Sequence, residues 1–332
     1  MEGEKVASDT GLVGAPDVAG DPTPSVTANR SVPADGGGRF GFSGHQTFPF
    51  RYGWLKKAVD AVVRDPEVFR QDNALVRLGV GKNMVESIRH WGLATQVLQD
   101  SDRGRVLTPT GWGRQLFVEG DDPYLEDPAS LWLIHWLLVT NPAKAGTWFL
   151  AFNRFPYPEF RKDMLVNFVV GFAQRHGIRA NPRTIERDVD CFVRTYTPSR
   201  TGDRQVPEDS FNCPLVELGA LQALPDGATY QFVIGPKPTL TVEIVGIVLL
   251  HFFDLIGNSR HTLSLQECLY QPYSPGQVFK LDESSLMGYL DQLEELTTGA
   301  IAVDETAGLK QLYRRTPVDP RTLLRRYYGE GA

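Results

Sequence analysis

Residues 73–117 hold the pattern that most restricts the fold. Residues 72–78 read as a short helical stretch, Gly79-Val-Gly81 as a turn, and residues 82–90 as a second helix carrying Met84, Val85, Ile88 and Trp91 on one apolar face. Glycines between two helices let them meet closely, because glycine takes left-handed backbone angles without a side-chain clash. Gly92 reads as the stop of the second helix. Residues 95–98 and 105–108 then look like the arms of a hairpin with Ser101-Asp-Arg-Gly104 as its polar tip, and residues 110–117 close the unit as a short helix or strand. Helix, glycine turn, helix and hairpin is the order of a winged helix-turn-helix. The residues expected to be exposed are Lys82, Asn83, Glu86, Ser87, Arg89 and His90 on the second helix and Arg103 and Arg105 on the hairpin; their cations and amide suit phosphates and a base edge, so double-stranded DNA is the expected partner. Glu86 in the middle of that face keeps a protein-contact use of the unit open.

Charge is distributed in a way that favours the same segment. The whole chain of 332 residues has a formal net charge of -6, which argues against a protein that is basic all over. Residues 39–119 nevertheless carry twelve bases against eight acids, and residues 310–332 six against two, while residues 120–309 carry fourteen against 24. A local patch is enough for a nucleic-acid footprint. The second basic stretch sets Arg325 and Arg326 among leucines and tyrosines, which suits phosphate contact or arginines reaching out from a packed helix. Cys191, Cys213 and Cys268 form no paired spacing, no signal peptide is visible, and no apolar run is long enough for a membrane span, so a cytoplasmic protein with reduced thiols is expected.

The sequence divides into a disordered, Gly- and Pro-rich leader (1–38), the winged-helix unit (39–119), a helical middle (120–225) and a last segment (226–332). In that last segment helices at 241–253, 264–269 and 283–295 precede hairpin arms at 300–303 and 309–313, so a second winged helix with a basic tail is expected. The fold class is mainly α with small β-hairpins. The loop at 197–210 reads as mobile.

Familiar catalytic devices are missing. Gly79-Val-Gly-Lys82 lacks the first glycine and the final hydroxyl of a phosphate loop, since positions 76 and 83 are Val76 and Asn83. The carboxylates are more suggestive. Asp121, Asp122, Glu126 and Asp127 crowd one loop, and Asp188 and Asp190 share a helix. A metal-dependent nuclease needs convergent acids to hold a divalent ion, so Glu126 and Asp127 are metal candidates and Mg²⁺ the expected ion. Asp-Pro turns and helix caps explain the same acids without chemistry. His45, with Gln46 and Arg51 nearby among aromatics, could activate water or hold phosphate charge, or could anchor the chain entry.

Three motifs then carry a resemblance: Phe42-Ser-Gly-His-Gln-Thr-Phe-Pro-Phe-Arg-Tyr-Gly-Trp-Leu-Lys-Lys57; Leu78-Gly-Val-Gly-Lys-Asn-Met-Val85 with Ile88-Arg-His-Trp91; and Asp122-Pro-Tyr-Leu-Glu-Asp127 before Leu131-Trp-Leu-Ile-His-Trp136. Together they resemble the SspB-type family of single-strand DNA phosphorothioation systems, a bacterial domain family of defence clusters, over residues 40–328. The resemblance implies a component that nicks DNA so that partner enzymes of the system can place sulfur on the backbone. Catalytic candidates are then His45, Glu126, Asp127, Asp188 and Asp190, and DNA-binding candidates Arg51, Lys82, Asn83, Arg89, Arg103, Arg105, Arg325 and Arg326. The alternatives are a non-catalytic adaptor or specificity subunit that recruits the modification enzymes, and a protein-interaction scaffold using the helix of Trp132 and Trp136.

Overall fold

The computed structural model describes residues 39–101, 104–198, 213–257, 260–306 and 309–329. The leader at 1–38, most of the loop at 197–210, and Arg103 lie outside them. After the aromatic entry, α1 (Trp54–Arg64) turns Trp54, Leu55, Ala58, Val59 and Val62 inward. α2 (Ala74–Leu78) stops at Gly79, whose φ of 65° is the left-handed cap that glycine supplies most easily. α3 (Lys82–Ala94) begins after Gly81 and runs on through Gly92. Gly92 serves packing there rather than termination: a Cβ at that position would sit 2.8 Å from Leu98 Cδ1. The hairpin pairs β1 (Leu98–Ser101) with β2 (Val106–Pro109), Ser101 opposite Val106. Thr110 accepts the Gly113 N–H and so caps α4 (Gly111–Arg114), which passes into a wider π turn ending at Glu119.

The middle is built on two helices that are buried all round. α5 (Pro128–Val139) starts at its cap Asp127, and α6 (Gly146–Asn153) follows it; both are apolar on every face, as interior helices must be. Next come β3 (Glu159–Arg161), α7 (Lys162–Arg175), α8 (Pro182–Tyr196), β4 (Leu221–Ala223) and β5 (Thr229–Phe232). These strands form an antiparallel sheet in the order β3-β5-β4. Of the three, only β5 is anticipated by sequence, where residues 230–234 alternate like a strand; three residues are too few to show a period of two.

The last part comprises α9 (Val242–Ile256), β6 (Thr262–Ser264), α10 (Leu265–Tyr270), α11 (Pro275–Phe279), α12 (Glu283–Leu296), β7 (Ile301–Thr306), β8 (Leu309–Arg314) and α13 (Pro320–Tyr327). The expected hairpin gains β6 as a third strand, in the order β6-β8-β7. The protein is thus mainly helical with small antiparallel sheets. One continuous set of buried apolar side chains extends from Phe50 in the entry to Leu324 in α13. Among the described residues no helix is long and apolar enough to cross a membrane. All three cysteines are buried and free.

Candidate nucleic-acid interface

The entry segment is conformationally expensive. Ser43, Gly44, Gln46 and Thr47 all have left-handed φ, at 69°, 105°, 47° and 64°. Each non-glycine residue held there costs on the order of 1–3 kcal/mol, so the surroundings must over-determine the shape. They do so around Asp188 of α8. Its carboxylate accepts the Ser43 N–H at 2.9 Å, His45 Nε2–H at 2.8 Å and the Thr147 hydroxyl of α6 at 3.1 Å. The Thr47 N–H donates to His45 Nδ1 at 3.1 Å, which makes Nδ1 the acceptor and leaves the proton on Nε2. The His45 carbonyl accepts Ser87 Oγ–H from α3 at 3.0 Å, and Trp91 Nε1–H reaches the Phe48 carbonyl at 2.9 Å. Gly44 has to be glycine on steric grounds as well, since a Cβ would lie 2.5 Å from His90 Nδ1.

His45 and Asp188, candidates from separate lists and 143 residues apart, therefore meet, and they meet in a sealed place. His45 is 2% exposed and Asp188 1%. The rings of His90, Trp91 and Trp148 stand 5.8, 6.1 and 5.6 Å from that of His45. Both imidazole nitrogens and both carboxylate oxygens are engaged, so the pair clamps α3, α6 and α8 to the entry. Burial pulls His90 down to about 3 and keeps it neutral.

The remaining acids go elsewhere. Asp190 is exposed and pairs with Lys162 at 2.6 Å. Buried Asp122 accepts the N–H groups of Glu126 and Asp127 at 2.9 and 3.0 Å, folding the acidic loop on itself. Asp127 caps α5 through the Ala129 N–H at 2.8 Å and accepts the Tyr327 hydroxyl of α13 at 3.0 Å. Glu126 is exposed beside it. No three His, Cys, Asp or Glu groups gather as a metal site among the described residues. Ser87 and His90, expected on the exposed face of the second helix, are not there: Ser87 is fully buried and His90 half-buried against the entry, while Thr147 carries no mark in the sequence because only its distant partner singles it out.

Lys82, Asn83 and Glu86 are exposed along α3, Arg105 on β2's approach, and Arg89 reaches the Gly104 carbonyl at 3.4 Å, tying α3 to the hairpin tip. Among the described residues two acids share this face: Glu86 accepts from Gln46 Nε2 at 2.6 Å, and exposed Asp100 lies beside Gly104 at the hairpin tip. Gly81 supplies no side-chain cap, so α3 presents its first N–H groups unshielded beside Lys82 and Asn83. Arg51 lies half-buried over the Phe48 and Trp54 rings. On α13, Arg325 stands 4.0 Å from Glu119 and Arg326 donates to the Leu296 carbonyl at 2.8 Å.

Residues 42–328 match the DUF4007 model, described as a protein of unknown function, and the chain belongs to that family. It is similar to two solved structures, one of SspB and one of magnesium ion-bound SspB, each at 29% identity and a TM-score of 0.77, with 87% of this chain and 88% of the other covered. The SspB-type resemblance read from the three motifs is thereby borne out. No curated protein matches the chain.

Proposed function

We propose that this protein is the DNA-holding component of a phosphorothioation system. It grips duplex DNA with residues 73–117 as a winged helix-turn-helix, α3 set to the major groove and the β1–β2 hairpin as its wing. The observation that carries this reading is exposed Lys82 and Asn83 and half-buried Arg89 on a helix whose opposite side is bolted to the pinned entry through Ser87 and Trp91, with exposed Arg105 on the hairpin. A helix held that firmly presents its cations with little entropy left to lose, and its uncapped N-terminus adds two backbone donors for a phosphate. The C-terminal succession from α9 to β8 has the order of a second winged helix. Its α12 exposes Glu283, Asp291 and Glu295, which repel phosphate and suit a protein contact instead. The charge-removal test is Lys82→Ala combined with Arg89→Ala. We expect duplex affinity to fall about tenfold or more and the salt dependence to flatten by about one or two charges, measured by fluorescence anisotropy across a salt series. Unchanged affinity would overturn the assignment.

DNA nicking is the second reading, favoured by the magnesium ion-bound form of the similar SspB structure. Mg²⁺ commonly takes one or two carboxylates and fills its remaining positions with water and substrate phosphate. Exposed Glu126 and the outer lone pairs of Asp127 would hold such an ion, while sealed His45 and Asp188 would keep the platform in shape. A supercoiled-plasmid assay with and without Mg²⁺ decides it. Nicking that survives Glu126→Gln with Asp127→Asn removes these acids from the reaction.

A further inference from the structure

A cleft of about 470 Å³ opens between the turn at 153–158, the end of β5 and the α10–α11 segment. Its size falls within the ~300–1,000 Å³ of small-ligand clefts. Two cations line it, Arg154 and Lys280, and no carboxylate does. The Lys280 ammonium donates to the Phe152 carbonyl at 2.5 Å and to Gln277 Oε1 at 3.4 Å, leaving one of its three donors for an occupant. It lies 5.0 Å from the centre of the Phe232 ring, and burial without an acidic partner lowers it to about 7. Among the lining residues, Tyr157 is 52% exposed and Tyr270 63%, two large rings left facing water.

The walls are fixed before anything binds. Asn153 Oδ1 accepts the Tyr273 N–H at 2.7 Å, joining the end of α6 to the α10–α11 turn, and Gln277 Nε2 donates to the Leu269 carbonyl at 3.3 Å. Gly276 lets α11 close on α10, because a Cβ there would fall 2.4 Å from the Leu269 backbone. A preformed cleft lined by two cations and two exposed aromatic rings matches one ligand chemistry well: a phosphate joined to a planar ring.

We propose that this cleft receives one unpaired nucleotide of a DNA strand, its phosphate on Lys280 and Arg154 and its base stacked on Tyr270, the more exposed of the two rings. The proposal deepens the reading above and rests on its premise that DNA is the partner, not on the winged-helix grip. It adds a second site, distant in sequence from α3, for a base taken out of the duplex or a strand already opened.

The experiment compares labelled oligothymidylate and a labelled blunt duplex on the full chain, using wild type, Lys280→Met and Tyr270→Ala. Both variants should weaken single-strand binding about tenfold or more while duplex affinity stays within about twofold. Thymidine monophosphate should compete for the single-strand site, and inorganic phosphate at the same concentration should not. Tyr270 is exposed, so its variant keeps the test valid if Lys280→Met folds poorly. Single-strand affinity unchanged in Tyr270→Ala, or competition by phosphate as strong as by the nucleotide, overturns the cleft assignment. The Lys82 and Arg89 variants separate the two proposals: loss of duplex binding there with an intact single-strand response leaves both standing, and no duplex binding by wild type removes the first alone.

Discussion

At the scale of single residues, His45 is the side chain whose role changes most between sequence and structure. A histidine among glutamine, threonine and arginine invites a catalytic reading, yet its Nε2–H is spent on Asp188 and its Nδ1 on the Thr47 N–H. Removing it would leave a buried carboxylate short of one donor and open a gap between His90, Trp91 and Trp148. We therefore expect His45→Ala to destabilise the fold by about 3 kcal/mol, with His45→Gln milder because an amide can still donate. Urea midpoints check it, and a wild-type midpoint for His45→Ala would return the residue to the catalytic candidates. The motif around His45 was legible from sequence, and so was Asp188 as a residue worth naming. Their partnership was not, since it spans 143 positions and no local periodicity reports a contact of that range. Asp127 illustrates the converse. The Asp-Pro step predicted a helix cap, and the cap is there, while the Tyr327 hydroxyl that also holds it comes from the far end of the chain.

At the scale of elements, helices were easier to place than strands. The long helices announced themselves through three- and four-residue apolar spacing, which puts helices at 54–63, 184–196 and 241–253, and α1, α8 and α9 begin and end within a few residues of those bounds. The strands β3, β4 and β6 are three residues each and owe their existence to partners already placed, Tyr230 opposite Phe160 and Leu312 opposite Leu263. Glycine was ambiguous for a related reason. Gly79 ends α2 as a left-handed cap, whereas Gly92 lies inside α3 and makes room for β1, and only the neighbour distinguishes the two. Gly113 in α4 is the tighter case, because an added Cβ would fall 2.0 Å from the Val97 carbonyl oxygen, against 2.8 Å from a movable Leu98 methyl at Gly92. A backbone oxygen in a hairpin flank cannot step aside as a leucine rotamer can. Gly113→Ala should therefore cost about 2–3 kcal/mol and Gly92→Ala clearly less, as read from thermal midpoints. Equal midpoints for the two variants would mean that the hairpin is softer than its packing implies.

At the scale of the whole molecule, the buried histidines make one collective statement. His90 in α3, His135 in α5 and His251 in α9 sit in three different parts of the chain. Burial holds them at about 3, 4 and 4, against an ordinary value of 6.5. His135 is also held by its partners, Nε2–H donating to the Val278 carbonyl at 2.9 Å and Nδ1 paired with the Tyr196 hydroxyl at 2.8 Å, contacts that the neutral ring satisfies in full. A group whose native value is depressed binds its proton more readily once unfolded. Stability is therefore fully present above about pH 6.5 and is lost as pH falls toward the native values. Each histidine contributes a slope of up to about 1.4 kcal/mol per pH unit in that window. Ordinary carboxylates add nothing until about pH 5, so the interval between about 6.5 and 5 isolates the histidines. Because the buried apolar set is continuous from Phe50 to Leu324, we expect the loss to come as one cooperative transition, with nearly three protons taken up on unfolding. Urea titrations at a series of pH values measure that uptake directly. A flat profile from pH 6.5 to about 5 would contradict the burial of these rings, and two separate transitions would show that the N- and C-terminal helix-and-hairpin units unfold independently of each other.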